Sequence, residues 1–198
     1  MSYNIPAKPV IDEQIIKKSR FITYIQRSTN KEEAVAFIKQ IKAAHPDARH
    51  HCWAYIAGHP TASIDVAFSD DGEPQGTAGK PILNVLQHRD IGEIALVVVR
   101  YFGGIKLGAG GLVRAYSSSA HLAVEKLETM ILVPTKKLIF FLNYELENKV
   151  QHYLKEQNIT VTKSDYAERI TLEVEVSEQA LEITKHALMD ITSGKVFF

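Results

Sequence analysis

Cysteine is nearly missing from this chain. Cys52 is the only one among 198 residues, which excludes any intrachain disulfide and suits a reducing compartment. Net charge is missing too: Lys and Arg total 23, and Asp and Glu total 23. No global field therefore pulls the molecule toward nucleic acid or a membrane, and any polyanion binding must come from a local patch. No apolar run has the length that spans a bilayer. The first residues, Met1-Ser-Tyr-Asn-Ile-Pro6, carry neither a basic n-region nor an apolar h-region. The expectation is a cytoplasmic protein with no membrane partner.

Several signatures of known chemistry are absent as well. The glycine-rich stretches fit neither the Walker spacing nor the dinucleotide spacing. Ser117-Ser-Ser119 lacks the strand, G-x-S-x-G, helix context of a nucleophile elbow. His45, His50, His51 and Cys52 fit no common zinc pattern, and His50 and His51 on one strand point to opposite faces. No metal and no cofactor is expected. Cys52 in an aromatic-rich strand reads as a small core residue, and His50 as a hydrogen-bonded one.

What is present is concentrated. Five of the 11 glycines, Gly103, Gly104, Gly108, Gly110 and Gly111, fall within nine residues. The apolar run Ile94–Val99 leads in and a helical pattern leads out. A strand, a glycine turn and a helix start place unpaired amides at the positive end of a helix dipole. Arg100, Lys106 and Arg114 bracket the turn, and an anionic ligand is the first expectation. The alternative is architectural, with glycines admitting a tight turn and close packing. Tyr101 and Phe102 stand ready to stack on nucleobases beside this basic anchor, although strand alternation should bury one of them.

A second polar loop covers residues 69–81. Its glycines, with Thr77 and Lys80, suggest a second anion cradle at a helix starting on Pro81, and the two cradles are expected to face one cleft. Asp70, Asp71 and Glu73 in the same loop suit either a Mg²⁺ site or general-base work. Asp-Asp-Gly is equally a turn signal.

The remaining pattern predicts an α+β chain of two domains, 1–134 and 135–198. Residues 10–17 and 20–27 read as a hairpin, and Asn30 as the cap of a helix ending before Pro46. Strands are expected at 50–57, 64–68 and 93–100. A helix is expected from about 110 to 128, burying Leu112, Val113, Tyr116, Ala120, Ala123, Val124 and Leu127. The second domain reads strand 138–144, helix 145–156, strands 159–166 and 169–176, helix 178–191 and a final strand 195–198. That βαββαβ order is ferredoxin-like.

Asp70-Asp-Gly-Glu-Pro-Gln-Gly-Thr-Ala-Gly-Lys-Pro81 and Val99-Arg-Tyr-Phe-Gly-Gly-Ile-Lys-Leu-Gly-Ala-Gly-Gly-Leu-Val-Arg-Ala-Tyr116 resemble the two signatures of the IMPACT family and its bacterial YigZ-like branch. Lys18-Ser-Arg-Phe21 and His50-His-Cys-Trp-Ala-Tyr55 resemble the flanking motifs. Ala109 stands where many members have glycine. The likeness covers about residues 1–130, and the remainder resembles the second domain of the bacterial branch.

The resemblance implies a first domain like domain 2 of ribosomal protein S5, a fold shared with small-molecule kinases. It implies a second domain like one of elongation factor G. Eukaryotic relatives regulate translation by competing for an activator of a stress kinase through an additional domain that these residues do not match, so that mechanism is not carried over. The resemblance implies a link to RNA or the translation machinery and no catalytic residue. The expected function is a non-enzymatic binding module that uses a basic glycine-rich cleft. The alternative is Mg²⁺-dependent phosphoryl transfer or phosphoester hydrolysis, and a third reading is a protein-binding adaptor. Oligomeric state is left open.

Overall fold

A computed structural model describes residues 2–198. The chain starts with a short strand, β1 (Tyr3–Pro6), followed by the hairpin of β2 (Val10–Ile16) and β3 (Ser19–Arg27). Its two-residue turn is Lys17-Lys18, with φ of 45° and 66°. A turn with both central φ values positive matches the twist of the strands it joins. Asn30 caps α1 (Lys31–Ala44), and its side-chain oxygen accepts from the Glu33 amide at 2.9 Å. Then follow β4 (His50–Ala57), β5 (Asp65–Ser69), α2 (Gly79–His88), β6 (Ile94–Tyr101), α3 (Ala109–Glu125) and β7 (Thr129–Leu132).

Five strands form one antiparallel sheet in the order β2-β3-β6-β4-β5. Strand β6 is central, and Ile94 to Val99 are fully buried. Both its faces are covered, so its sequence is a continuous apolar run and not an alternation. On one face Phe21, Cys52, Leu96 and Val98 pack against Ile82 and Leu86 of α2 and Leu112, Tyr116 and Ala120 of α3. On the other, Ile22, Tyr55, Val97 and Val99 pack against Phe37, Ile38 and Ile41 of α1. Each such side chain contributes about 1.5–3 kcal/mol on burial.

The second unit runs from β8 (Thr135–Leu142) through a 3₁₀ turn at Tyr144–Leu146 to α4 (Glu147–Glu156), β9 (Thr160–Tyr166), β10 (Ile170–Ser177) and α5 (Leu181–Ile191). Its sheet order is β8-β10-β9. Ile170, Leu172, Val174 and Val176 are buried, whereas Glu175 between them is exposed. The expected final strand is a single bridge. Phe141 and Phe197 exchange two backbone hydrogen bonds of 2.7 and 3.1 Å. Ser193 and Gly194, both at positive φ, turn the chain late, so one residue alone pairs with the free edge of β8. The connectivity remains ferredoxin-like.

The chain divides into Tyr3–Leu132 and a unit containing Val133–Phe198. Among the described residues, no helix is long and apolar enough to cross a membrane.

Two expectations are corrected. Val113 is 37% exposed, and Ala115 is buried in its place in the core of α3. Helix α2 begins at Gly79, not Pro81, because its first turn is set by the side chain of Asp70 at the far end of the loop that leads into it. The antiparallel pairing of β1 with β7 was not legible in sequence, since four-residue strands carry too few alternations to signal themselves.

Candidate functional site

Arg100 is the penultimate residue of β6; its side chain turns toward the α3 face of the sheet and is 7% exposed. A guanidinium cannot be buried alone. Its Nη1 donates to Glu73 Oε1 at 2.6 Å, and its Nη2 donates to Ser19 Oγ at 3.4 Å. Tyr116 of α3 donates its hydroxyl to the same Glu73 oxygen at 2.8 Å. The guanidinium also lies 5.6 Å from the ring centre of Phe21 and 5.7 Å from that of Phe102. No acceptor meets Arg100 Nε, which is buried. Burial drives the Tyr116 phenol upward, helped by Cys52 and Glu73, so it stays protonated and donates.

Arg100, Glu73 and Phe102 from this group line a cavity of about 370 Å³. The cavity is also lined by Arg49, His50, Phe102, Lys106 and the start of α3 at Gly108 and Ala109. Gly108 has φ 73° and ψ 165° and makes no side-chain cap, while its carbonyl accepts from Leu112. Among the described residues, the amides of Ala109, Gly110 and Gly111 have no acceptor within the protein. Arg49 and Lys106 have no acidic partner there. The arrangement sets a helix N-terminus, whose first amides are unpaired within the protein, beside two cations.

Both motifs that build this geometry fall inside one matched region. The profile of the Impact N-terminal domain matches residues 17–124. The chain belongs to the IMPACT family. A domain of unknown function, DUF1949, matches residues 140–195. A Haemophilus influenzae IMPACT family member is 44% identical, with 98% of this chain and 94% of that protein covered. The Escherichia coli IMPACT family member YigZ is 41% identical, with 98% and 96% covered. A crystal structure of a hypothetical protein superposes with TM-score 0.74 at 41% identity, over 99% of this chain and 95% of that one.

In this IMPACT chain the second glycine loop closes on an anion of its own. Asp70 Oδ1 accepts from the amides of Ala78 and Gly79 at 2.9 and 2.8 Å, and Oδ2 accepts from Gly76 at 2.8 Å. The start of α2 is thus filled by Asp70, and Thr77 Oγ1 donates to the Pro74 carbonyl at 2.6 Å. This corrects the expectation of a second cradle on Thr77 and Lys80. Lys80 lies over the Phe68 ring at 5.8 Å and is not part of the cavity lining. The loop still reaches the common cavity through Glu73 and Pro74.

The other predicted residues divide by geometry. Tyr101 follows Arg100 on the strand and therefore points to the opposite face. There its hydroxyl meets His45 Nδ1 at 2.9 Å, and His45 Nε2 meets Tyr24 at 2.6 Å. Arg114 lines an adjoining groove with Lys17, Leu107 and Gly111. Gly103 packs against the β2–β3 turn and donates its amide to Ser19 Oγ at 3.2 Å. Gly104, at φ 86°, is a turn residue outside the lining. Cys52 is fully buried, donates to the Asp70 carbonyl, and has its thiol pushed strongly upward by burial, which leaves it un-ionised and unsuited to nucleophilic work. Arg49, Ser19 and the Tyr116 hydroxyl were not singled out by sequence reasoning. Ser19 lies within the Lys18-Ser-Arg-Phe21 motif, and Arg49 directly precedes the His50 motif.

Asp71 does not join Asp70 and Glu73 at a common point. It accepts from Lys42 Nζ at 2.6 Å and from the His51 amide at 2.7 Å, and His50 Nδ1 meets its carbonyl at 2.9 Å. Burial raises the Asp71 carboxyl, but Lys42 and His51 outweigh it and hold the group below its ordinary range. A depressed folded-state pKa stabilises the fold above the unfolded value and loses that contribution as pH falls through the folded one. Asp71→Asn therefore costs stability at pH 7, and the gap from the parent narrows below about pH 4. Urea unfolding at both pH values measures it, and a pH-independent gap would contradict this account.

Proposed function

We propose that this chain is a non-enzymatic regulator that holds RNA, or an RNA-bearing part of the translation machinery, through the cavity at the α3 N-terminus. The observation that carries this reading is the start of α3, where the amides of Ala109, Gly110 and Gly111 have no acceptor within the protein and Gly108 and Ala109 line the cavity with Arg49 and Lys106. A phosphate group supplies what those donors lack. Arg114 and Lys17 in the adjoining groove extend the basic surface, with Leu107 common to both hollows. That continuity suits a ligand with more than one phosphate, and half-exposed Phe102 offers a stacking face.

Phosphoryl transfer with Mg²⁺ needs carboxylate oxygens turned toward one point. Asp70 holds backbone amides, Asp71 holds Lys42 and the His51 amide, and Glu73 holds Arg100 and Tyr116. The disposition of these carboxylates favours binding over that chemistry.

The test is titration of the full chain with single-stranded RNA at several salt concentrations. Arg49→Glu with Lys106→Glu weakens binding by about tenfold or more at low salt, because two charge-assisted contacts become repulsive. It also lowers the magnitude of the log–log salt slope by about 1.4, at roughly 0.7 per lost phosphate contact. Unchanged affinity would end this reading.

A further inference from the structure

We infer that the free edge of β2 is an interface on which two copies of this chain join, strand against antiparallel strand, about a two-fold axis through Glu13. Strand β2 ends the order of its sheet and pairs with β3 alone. Among the described residues, no other backbone hydrogen bond reaches residues 10–16. The two-residue turn at Lys17-Lys18 makes Ile16 and Ser19 a hydrogen-bonded pair. Antiparallel alternation then turns the amides and carbonyls of Val10, Asp12, Gln14 and Ile16 toward β3, and those of Ile11, Glu13 and Ile15 outward.

The side chains beside this edge are also open. Ile11 and Ile15 are 68% and 72% exposed, on the sheet face where α1 lies over β4 and β6. Proteins shield an exposed strand edge with bulges, proline or lysine. Strand β9, an edge of the second sheet, has a register shift opposite Glu173 and Val174 and carries Lys163 and Asp165. Strand β2 has an unbroken register, no proline and no lysine. Unpaired backbone groups flanked by two exposed isoleucines are a template for a further strand.

The order of residues in β2 says which strand fits. Val10-Ile-Asp-Glu-Gln-Ile-Ile16 reads alike in both directions in its apolar and polar character, with Glu13 at the centre. With Glu13 on the axis, Ile11 faces Ile15 of the second copy, Val10 faces its Ile16 and Asp12 faces its Gln14. Every outward amide meets an outward carbonyl. The one unfavourable contact is Glu13 against Glu13, and each carboxylate already accepts two hydrogen bonds of 2.8 Å from Arg20 of its own chain. Other registers fit worse. An axis at Asp12 or Gln14 sets isoleucine against Glu13 on both sides. One at Ile11 brings Pro9, which has no amide, against Glu13, and one at Ile15 runs the pairing into the turn at Lys17. Such an interface is isologous, the commonest kind in homo-oligomers. Its axis stands normal to the sheet, so α2 and α3 of both copies lie on one face of a continuous sheet.

Analytical ultracentrifugation of the full chain, from micromolar to millimolar concentration, tests this. The parent passes reversibly from one chain to two as concentration rises, as a small interface requires. Ile11→Lys and Ile15→Glu each weaken association by about tenfold or more, because a charge is then set against isoleucine on both sides of the axis. Both positions are exposed in the single chain, and circular dichroism confirms that both variants fold. An equimolar mixture of the two variants recovers association, since the introduced lysine and glutamate then face each other on one side and the retained isoleucines meet on the other. A parent that stays monomeric throughout overturns the inference, as does self-association that neither substitution weakens. A mixture no more associated than the separate variants overturns the register centred on Glu13.

Discussion

Arg100→Met lowers the free energy of unfolding by about 3–5 kcal/mol, the cost of removing one partner from a buried ion pair. The loss does not come from the missing attraction alone. Glu73 keeps its charge in a pocket where its side chain is 4% exposed, with only the Tyr116 hydroxyl left as a donor. Ser19 loses a partner, and the stacking of the guanidinium between Phe21 and Phe102 is gone. Arg100→Lys restores the charge but not the planar fork that reaches Glu73 and Ser19 together, so it recovers only part of the loss. Pairing Arg100→Met with Glu73→Gln removes the stranded charge and recovers more. Urea unfolding of the four proteins measures the set. A double variant no more stable than Arg100→Met would show that the stranded carboxylate is not the source of the cost.

Gly103→Ala is expected to be similarly damaging, for a steric reason. A Cβ at this position would sit 1.9 Å from the Lys18 carbonyl carbon and oxygen and 2.4 Å from the Ser19 nitrogen. These are backbone atoms of a tight turn in which Lys17 and Lys18 already hold positive φ. Nothing there can rotate aside, so strands must separate, at a cost of about 3 kcal/mol or more. Gly110→Ala behaves oppositely. Its nearest neighbour would be Arg114 Nη1 at 3.7 Å, an ordinary contact, and alanine in a helix loses less backbone entropy. Stability rises by about 0.4–1 kcal/mol. Thermal melts of the two variants separate a glycine required by packing from one that packing does not require. A destabilised Gly110→Ala would indicate that the open start of α3 is architectural.

This contrast also shows how far the sequence could be read. The glycine cluster looked like one feature with two rival explanations, anion cradle or close packing. In the fold it divides: Gly103 meets the β2–β3 turn, whereas Gly108 to Gly111 leave a helix end open. The rivals could not be separated in sequence because the clash that distinguishes Gly103 comes from Lys18, more than eighty residues away. Tyr101 and Arg100 are neighbours in the chain, yet strand alternation sends one to His45 and the other to Glu73. Asp70 was read as a metal or base candidate. It is the cap of α2, reached across a loop whose path local rules do not set.

By itself the amino-acid order determined most of the longer elements, the ferredoxin-like connectivity and the family, because periodicity, caps and contiguous motifs are local properties of a chain. Tertiary structure decided which charges are already matched. Arg100 and Asp70 are answered by Glu73 and by the amides of α2, while Arg49, Lys106 and the amides of α3 are not. Charge compensation depends on distances of about 3 Å between groups far apart in sequence, and only folding sets those distances.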